Sequence, residues 1–155
     1  MATVTFAQTD NRITGKLTEM IGRARDARGF LQRVILPMYL EDQKKRFQSE
    51  NNTETGQWAA LNPKYEKLKK TKYAGFPGSG NAILVGTGKL SDAVLLVSGG
   101  NKVITQNSIT ISVDSGVVPY AKYVQEKRQF MSFGGSSINQ FKDAIRLYLM
   151  GHLHG

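Results

Sequence analysis

A chain of 155 residues with no cysteine and a formal charge of +9 has room for one domain with a real core. It excludes disulfide frameworks, Cys-based zinc sites and thiol catalysis. The apolar run at 34–40 is interrupted by Pro37 and falls far short of the ~20 residues a membrane span requires. Residues 1–10 carry neither the basic nor the apolar region of a signal peptide, so a protein folded in a reducing cytoplasm is expected. The basic surplus peaks in the middle. Residues 51–90 hold six basic and two acidic side chains, with Lys64, Lys67, Lys69, Lys70 and Lys72 in one run. Such a surplus favours phosphate, an acidic protein or an anionic surface without choosing among them.

In chain order, residues 4–6 suggest a short leading strand and Asp10 a helix N-cap. Ile13, Leu17, Met20, Ile21 and Ala24 recur at helical spacing, and packing into a core is the expected role of such a stripe. A break is expected near Gly29. A second helix carries Phe30, Leu31, Val34, Ile35, Met38 and Phe47, with Pro37 expected to kink or bound it. Its charged end (Glu41, Asp42, Lys44, Lys45 and Arg46) is expected to be exposed on most sides. Residues 49–82 read as an irregular loop segment that contains a short basic helix at 64–72. A brief helix is expected at 90–94. Residues 94–98 and 102–105 flank Gly99, Gly100 and Asn101 as a hairpin, and Gln106-Asn107 turns the chain into the alternating strand 108–113. Pro119 is placed at the first position of a helical turn, residues 128–133 as a short strand, and Ser137 as the cap of a last helix over 138–150 ended by Gly151. The apolar side of that helix is assigned to Ile138, Phe141, Ile145, Leu147, Tyr148 and Leu149. The fold class is α+β: long N-terminal helices, a small antiparallel sheet with a hairpin, a C-terminal helix and an extended loop between, in one domain over 1–155.

Chemistry-bearing patterns are sparse. His152 and His154 sit at a terminus and make a weak metal pair. The carboxylates are scattered, and no serine lies in a nucleophile elbow. Gly86-Thr87-Gly88-Lys89 resembles part of a phosphate loop, but Leu90 stands where the Mg²⁺-binding hydroxyl belongs and Ile83 where the first glycine belongs. No catalytic, cofactor or metal residues are therefore assigned. Trp58, Tyr65, Tyr73 and Phe76 surround the basic helix and suit a protein–protein surface.

The order of landmarks resembles the phage virion morphogenesis (tail-completion) family over roughly residues 45–150. The residues that carry the likeness are Gly56-Gln57-Trp58-Ala59-Ala60-Leu61, the lysine run, Ile83-Leu84-Val85-Gly86-Thr87-Gly88-Lys89-Leu90, Pro119-Tyr120-Ala121, Gln125, Arg128 and Phe130, followed by the last helix. The sequence departs from the family pattern in lacking a histidine after Tyr120-Ala121 and in having Lys127-Arg128 in place of Pro-Arg. The resemblance implies a non-enzymatic virion protein, assembled in the host cytoplasm, that completes or terminates the tail and joins it to the head connector. It implies a homo-oligomeric ring, expected to be a hexamer, with tail-tube and neck proteins as partners and DNA passing through the ring; no membrane partner is expected. Another neck component (head-closure or connector) and a basic nucleic-acid-binding module are the alternatives. Interface residues are assigned to Trp58, Leu61, Tyr65, Tyr73, Phe76, Leu84, Tyr120, Arg128 and Phe130, and contacts to the lumen or an acidic partner to Lys64, Lys67, Lys69, Lys70 and Lys72.

Overall fold

The computed structural model describes residues 11–52, 56–76 and 82–153. The expected strand at 4–6, the Asp10 cap, the glycine-rich residues 77–81 and His154 lie outside them. The elements are α1 (Asn11–Arg25), α2 (Arg28–Phe30), a π-helical turn (Leu31–Ile35), α3 (Leu36–Ser49), β1 (Asn51–Asn52), β2 (Gly56–Gln57), α4 (Pro63–Lys72), α5 (Lys89–Val94), β3 (Gly100–Ile104), β4 (Ile109–Val113), α6 (Ala121–Lys127) and α7 (Gly135–Leu149). The fold is α+β, mostly helical, with two separate two-stranded antiparallel sheets, β1–β2 and β3–β4, among the described residues.

Pro37 marks a boundary, one of the two expected outcomes: it lies in the first turn of α3, directly after the π-helical turn. It has no N–H to give the Arg33 carbonyl, and in a regular α-helix its ring would crowd that oxygen. The preceding turn widens instead, with the Leu36 N–H reaching back five residues to the Leu31 carbonyl, and the rod runs on to Ser49. The break expected at Gly29 lies at residues 26–27, where the Ala27 N–H is taken by the Gln106 carbonyl of the distant hairpin turn.

The charged end of α3 is exposed at Glu41, Lys44 and Lys45, as expected, but its inner side is not. Gln43 and Arg46 are 0% and 2% exposed, and Arg46 forms a 2.8 Å ion pair with Asp42 one turn earlier. Its Nη1 donates to Ser132 Oγ, while Ser137 Oγ donates to the other oxygen of Asp42. The expected Ser137 cap is thereby corrected. The last helix starts two residues before Ser137, with Gly134 as its N-cap, because the hydroxyl is committed to Asp42.

Two clusters form the core. Phe47, Trp58, Ile83, Leu90, Ala93, Val94, Val118, Ala121 and Phe130 make the larger one. Phe30, Ala144 and Tyr148 make the smaller, with Phe30 and Tyr148 stacked at 4.2 Å. Tyr39 bridges from α3 toward α5, donating its hydroxyl to the Val94 carbonyl. The last helix packs along Ala144 and Tyr148, so Ile138, Ile145 and Leu147, assigned to its buried side, are largely exposed.

The hairpin expected around 99–101 is also corrected. Residues 94–97 look like a β run but terminate α5. The Leu96 N–H bonds to the Ala93 carbonyl and the Val97 N–H to the Asp92 carbonyl, with Leu96 itself in the left-handed region at φ 58°. The observed hairpin pairs Gly100 with Val113 through Ile104 with Ile109, around the expected Gln106-Asn107 turn. Gly151 ends α7 by the same device at φ 82°, with His152 N–H on the Leu147 carbonyl and Gly151 N–H on that of Tyr148. Pro119 lies in the turn before α6, whose cap is Tyr120. Residues 128–133 form no strand.

Two outcomes follow from this packing. A Cβ at Gly100 would lie 2.0 Å from the Ala93 carbonyl oxygen, so Gly100→Ala is expected to lower stability by about 3 kcal/mol in urea unfolding. Burial pushes the Tyr39 phenol up from 10.0 to about 12. The unfolded chain then releases this proton near pH 10 while the folded chain retains it. The contribution is complete below pH 10 and is lost as pH rises towards 12, at up to ~1.4 kcal/mol per pH unit. Tyr39→Phe should flatten that part of the pH–stability curve.

Candidate functional site: a tyrosine-lined groove

Three elements converge on an open groove of about 740 Å3 lined by α4, residues 84–90 and α6 with the residues that follow it. Asn62 begins α4 by accepting the Lys64 N–H, with Pro63 in the first turn. Tyr65, Lys69 and Tyr73 then fall at four-residue steps on one face. Gly88 enters α5 at φ 86°, a left-handed bend that a side chain would resist, and this turns residues 84–87 along the groove. Helix α6 supplies Tyr123 and Val124, with Tyr120 at its cap and Arg128 just beyond it.

The segment after α6 is held by a side chain that sequence reading did not single out as a structural device. Gln125 Oε1 accepts both the Phe130 and Met131 N–H groups at 3.0 Å, doing for this segment what a neighbouring strand would do. Arg128 Nη2 donates to the Ala59 and Ala60 carbonyls, and its Nε also reaches Ala59. The guanidinium thus ties the segment after α6 to the one before α4. Glu50, at the end of α3, accepts the Ile83 N–H, and Lys69 Nζ donates to the Ala82 carbonyl; together they fix the near wall.

Leu61, Tyr65, Tyr73, Leu84, Tyr120 and Arg128, all expected at an interface, line this one groove. Phe76 is exposed and meets Tyr73 edge-on at 6.3 Å. Trp58 and Phe130 are corrected: both are core residues, Trp58 packing edge-on against Phe47, because only the interior offers the area these rings need to bury. Lys69 is corrected as well. It is buried, its Nζ turned inward to the Ala82 carbonyl, and burial draws its pKa down against the opposing pull of Glu50. Lys64, Lys67, Lys70 and Lys72 are exposed, Lys70 paired with Glu66 at 2.8 Å.

The groove's electrostatics are one-sided. Lys89 and Arg128 line it beside the buried Lys69, and among the described residues no carboxylate does. Lys72 Nζ stands 5.5 Å from the Tyr73 ring and Lys127 Nζ 4.8 Å from that of Tyr123. Burial, then the neighbouring Tyr73 and Tyr65, raises the Tyr120 pKa, which marks the three phenols as near neighbours. His152 is exposed. Among the described residues no group of three His, Cys, Asp or Glu side chains could hold a metal ion, and no helix is long and apolar enough to cross a membrane. No protein-family model matches the chain, and no curated protein or solved structure is significantly similar to it.

Removing the Gln125 acceptor isolates its role. Gln125→Ala leaves two backbone donors without a partner and should cost about 2 kcal/mol. Gln125→Glu keeps the accepting oxygen and should recover most of that loss in urea unfolding at neutral pH.

Proposed function

We propose that the chain is a structural virion subunit that completes the tail of a tailed phage and joins it to the head connector, assembling as a ring. The observation that carries this reading is helix α1. Its stripe Ile13, Leu17 and Ile21 is 58%, 52% and 52% exposed, although the spacing is that of a face made to be buried. The helix meets its own body mainly near its C-terminal end, where Arg23 donates to the Leu149 carbonyl and Tyr148 to the Arg23 carbonyl. A helix of 15 residues is marginal in water without a packing partner, so its free apolar face calls for another chain.

The tyrosine groove is a second and different surface. It is built on the larger core cluster, whereas α1 docks on α7 beside the smaller one. Two unlike surfaces on one subunit suit head-to-tail contacts, which close into a ring when the rotation between neighbours allows it. The order of motifs resembling the tail-completion family supports the same reading and supplies six as the expected number of copies. In such a ring the exposed lysines of α4 face the DNA passage or a neighbouring neck protein.

The purified protein is expected to form rings in negative-stain images and a matching oligomer by mass photometry. Leu17→Asp should dissolve them to monomers while leaving the far-UV helical signal largely intact, because the replaced side chain touches little of its own subunit. Phage carrying that substitution should accumulate unjoined heads and tails. Strict monomers at high concentration, together with normal joining in the mutant phage, would end the proposal.

A further inference from the structure

We infer that the tyrosine groove receives an extended acidic segment of a partner protein; the inference rests on reading the groove as a contact surface for another chain. Three independent features point to that chemistry. The first is charge: Lys89 and Arg128 line the groove, Lys72 and Lys127 flank its tyrosines, and among the described residues no carboxylate lines it. Nε and Nη2 of Arg128 are spent on the Ala59 and Ala60 carbonyls, which fixes the plane of its guanidinium and leaves Nη1 for a carboxylate. A partner segment rich in Asp or Glu is the complement, and the chain's own +9 disfavours a basic one.

The second feature is backbone. Residues 84–87 line the groove, and their N–H and C=O groups make no hydrogen bond to other described residues. The stretch is turn and bend rather than strand, with Leu84 left-handed at φ 61°, so its open donors and acceptors offer a bound segment single hydrogen bonds rather than a ladder. The third is the floor. Leu61, Leu84, Leu90 and Val124 offer aliphatic seats between Tyr65, Tyr73, Tyr120 and Tyr123, whose hydroxyls make no hydrogen bond to other described residues. Tyrosine supplies large contact area at low entropic cost and leaves a polar tip for the ligand. The segment therefore alternates: carboxylates towards Lys89 and Arg128, aliphatic side chains towards the floor.

The test uses the full chain and three probes: an eight-residue acetylated peptide alternating Glu and Leu, its Lys–Leu counterpart, and an eight-nucleotide oligo-dT. Binding is measured by calorimetry, and the site is mapped by amide NMR. The Glu–Leu peptide is expected to bind with shifts concentrated at residues 84–90 and 120–128. Its affinity should fall roughly tenfold in Lys89→Glu and in Tyr120→Ala, both exposed positions, with folding checked by circular dichroism. Equal binding of the Lys–Leu peptide, tighter binding of oligo-dT in the same groove, or no shifts at these residues overturns the inference. Mass photometry on the same samples separates the two ideas. Intact rings with a groove indifferent to the acidic peptide sink this inference alone, whereas a persistent monomer that binds the peptide sinks only the ring.

Discussion

Arg46 is a guanidinium withdrawn almost wholly from water, 2% exposed, and a charge in such a place is tolerated only while its partners stay fixed. Those partners are Asp42, one turn back on the same helix, and Ser132, far along the chain. Asp42 in turn holds Ser137 in the first turn of α7. One buried pair thus couples the long second helix to the segment after α6 and to the last helix. Breaking one partner would strand a buried charge, a heavier cost than losing a surface ion pair. The helix that carries the pair also delivers Phe47 to one hydrophobic cluster and, through Tyr39, a hydrogen bond to α5. The relative placement of the α and β parts depends on it.

The groove inherits its shape from that placement. Its walls are short and irregular, and each is held by a side chain that substitutes for regular structure. Gln125 stands in for a strand, Arg128 ties residues 59–60 to the far side, and Lys69 with Glu50 pins residues 82–83. Such ties cost little conformational freedom in the final structure because their ends are anchored on helices. They also leave the tyrosine faces and the 84–87 backbone uncommitted. A surface that is rigid in its frame and unsatisfied in its lining is suited to recognising another chain, since less ordering remains to be done on contact.

Local chemistry was readable where it acts over a few residues. The stop at Gly151, the Gln106-Asn107 turn, the basic helix at 63–72 and the brief helix before residue 95 all follow from caps, turn residues and spacing. Reading failed where a distant partner decides the outcome. Ser137 reads as a cap because a serine before an apolar run usually is one, yet Asp42 claims its hydroxyl. Residues 94–97 resemble a strand by composition, yet Leu96 adopts a left-handed conformation to close α5. Lys69 reads like its four neighbours in the run, and only the fold turns it inward. Of the groove's lining, Leu61, Tyr65, Tyr73, Leu84, Tyr120 and Arg128 are among the residues the sequence singles out; Tyr123, Lys89 and Val124 are not, because nothing local marks a wall.

The sequence by itself determined the class of the protein: a cysteine-free, basic α+β chain with helices towards both ends, an antiparallel β part and a tyrosine- and lysine-rich middle. Periodicity, proline, glycine and charge act through neighbours in the chain, so these features needed no third dimension. Only the tertiary structure decided which apolar residues are spent inside. It buried Trp58 and Phe130, left Ile13, Leu17 and Ile21 in water, and gathered Tyr65, Tyr73, Tyr120 and Tyr123 from two distant segments into one groove. Burial is a property of what lies across from a side chain, and what lies across is set by contacts between residues far apart along the chain.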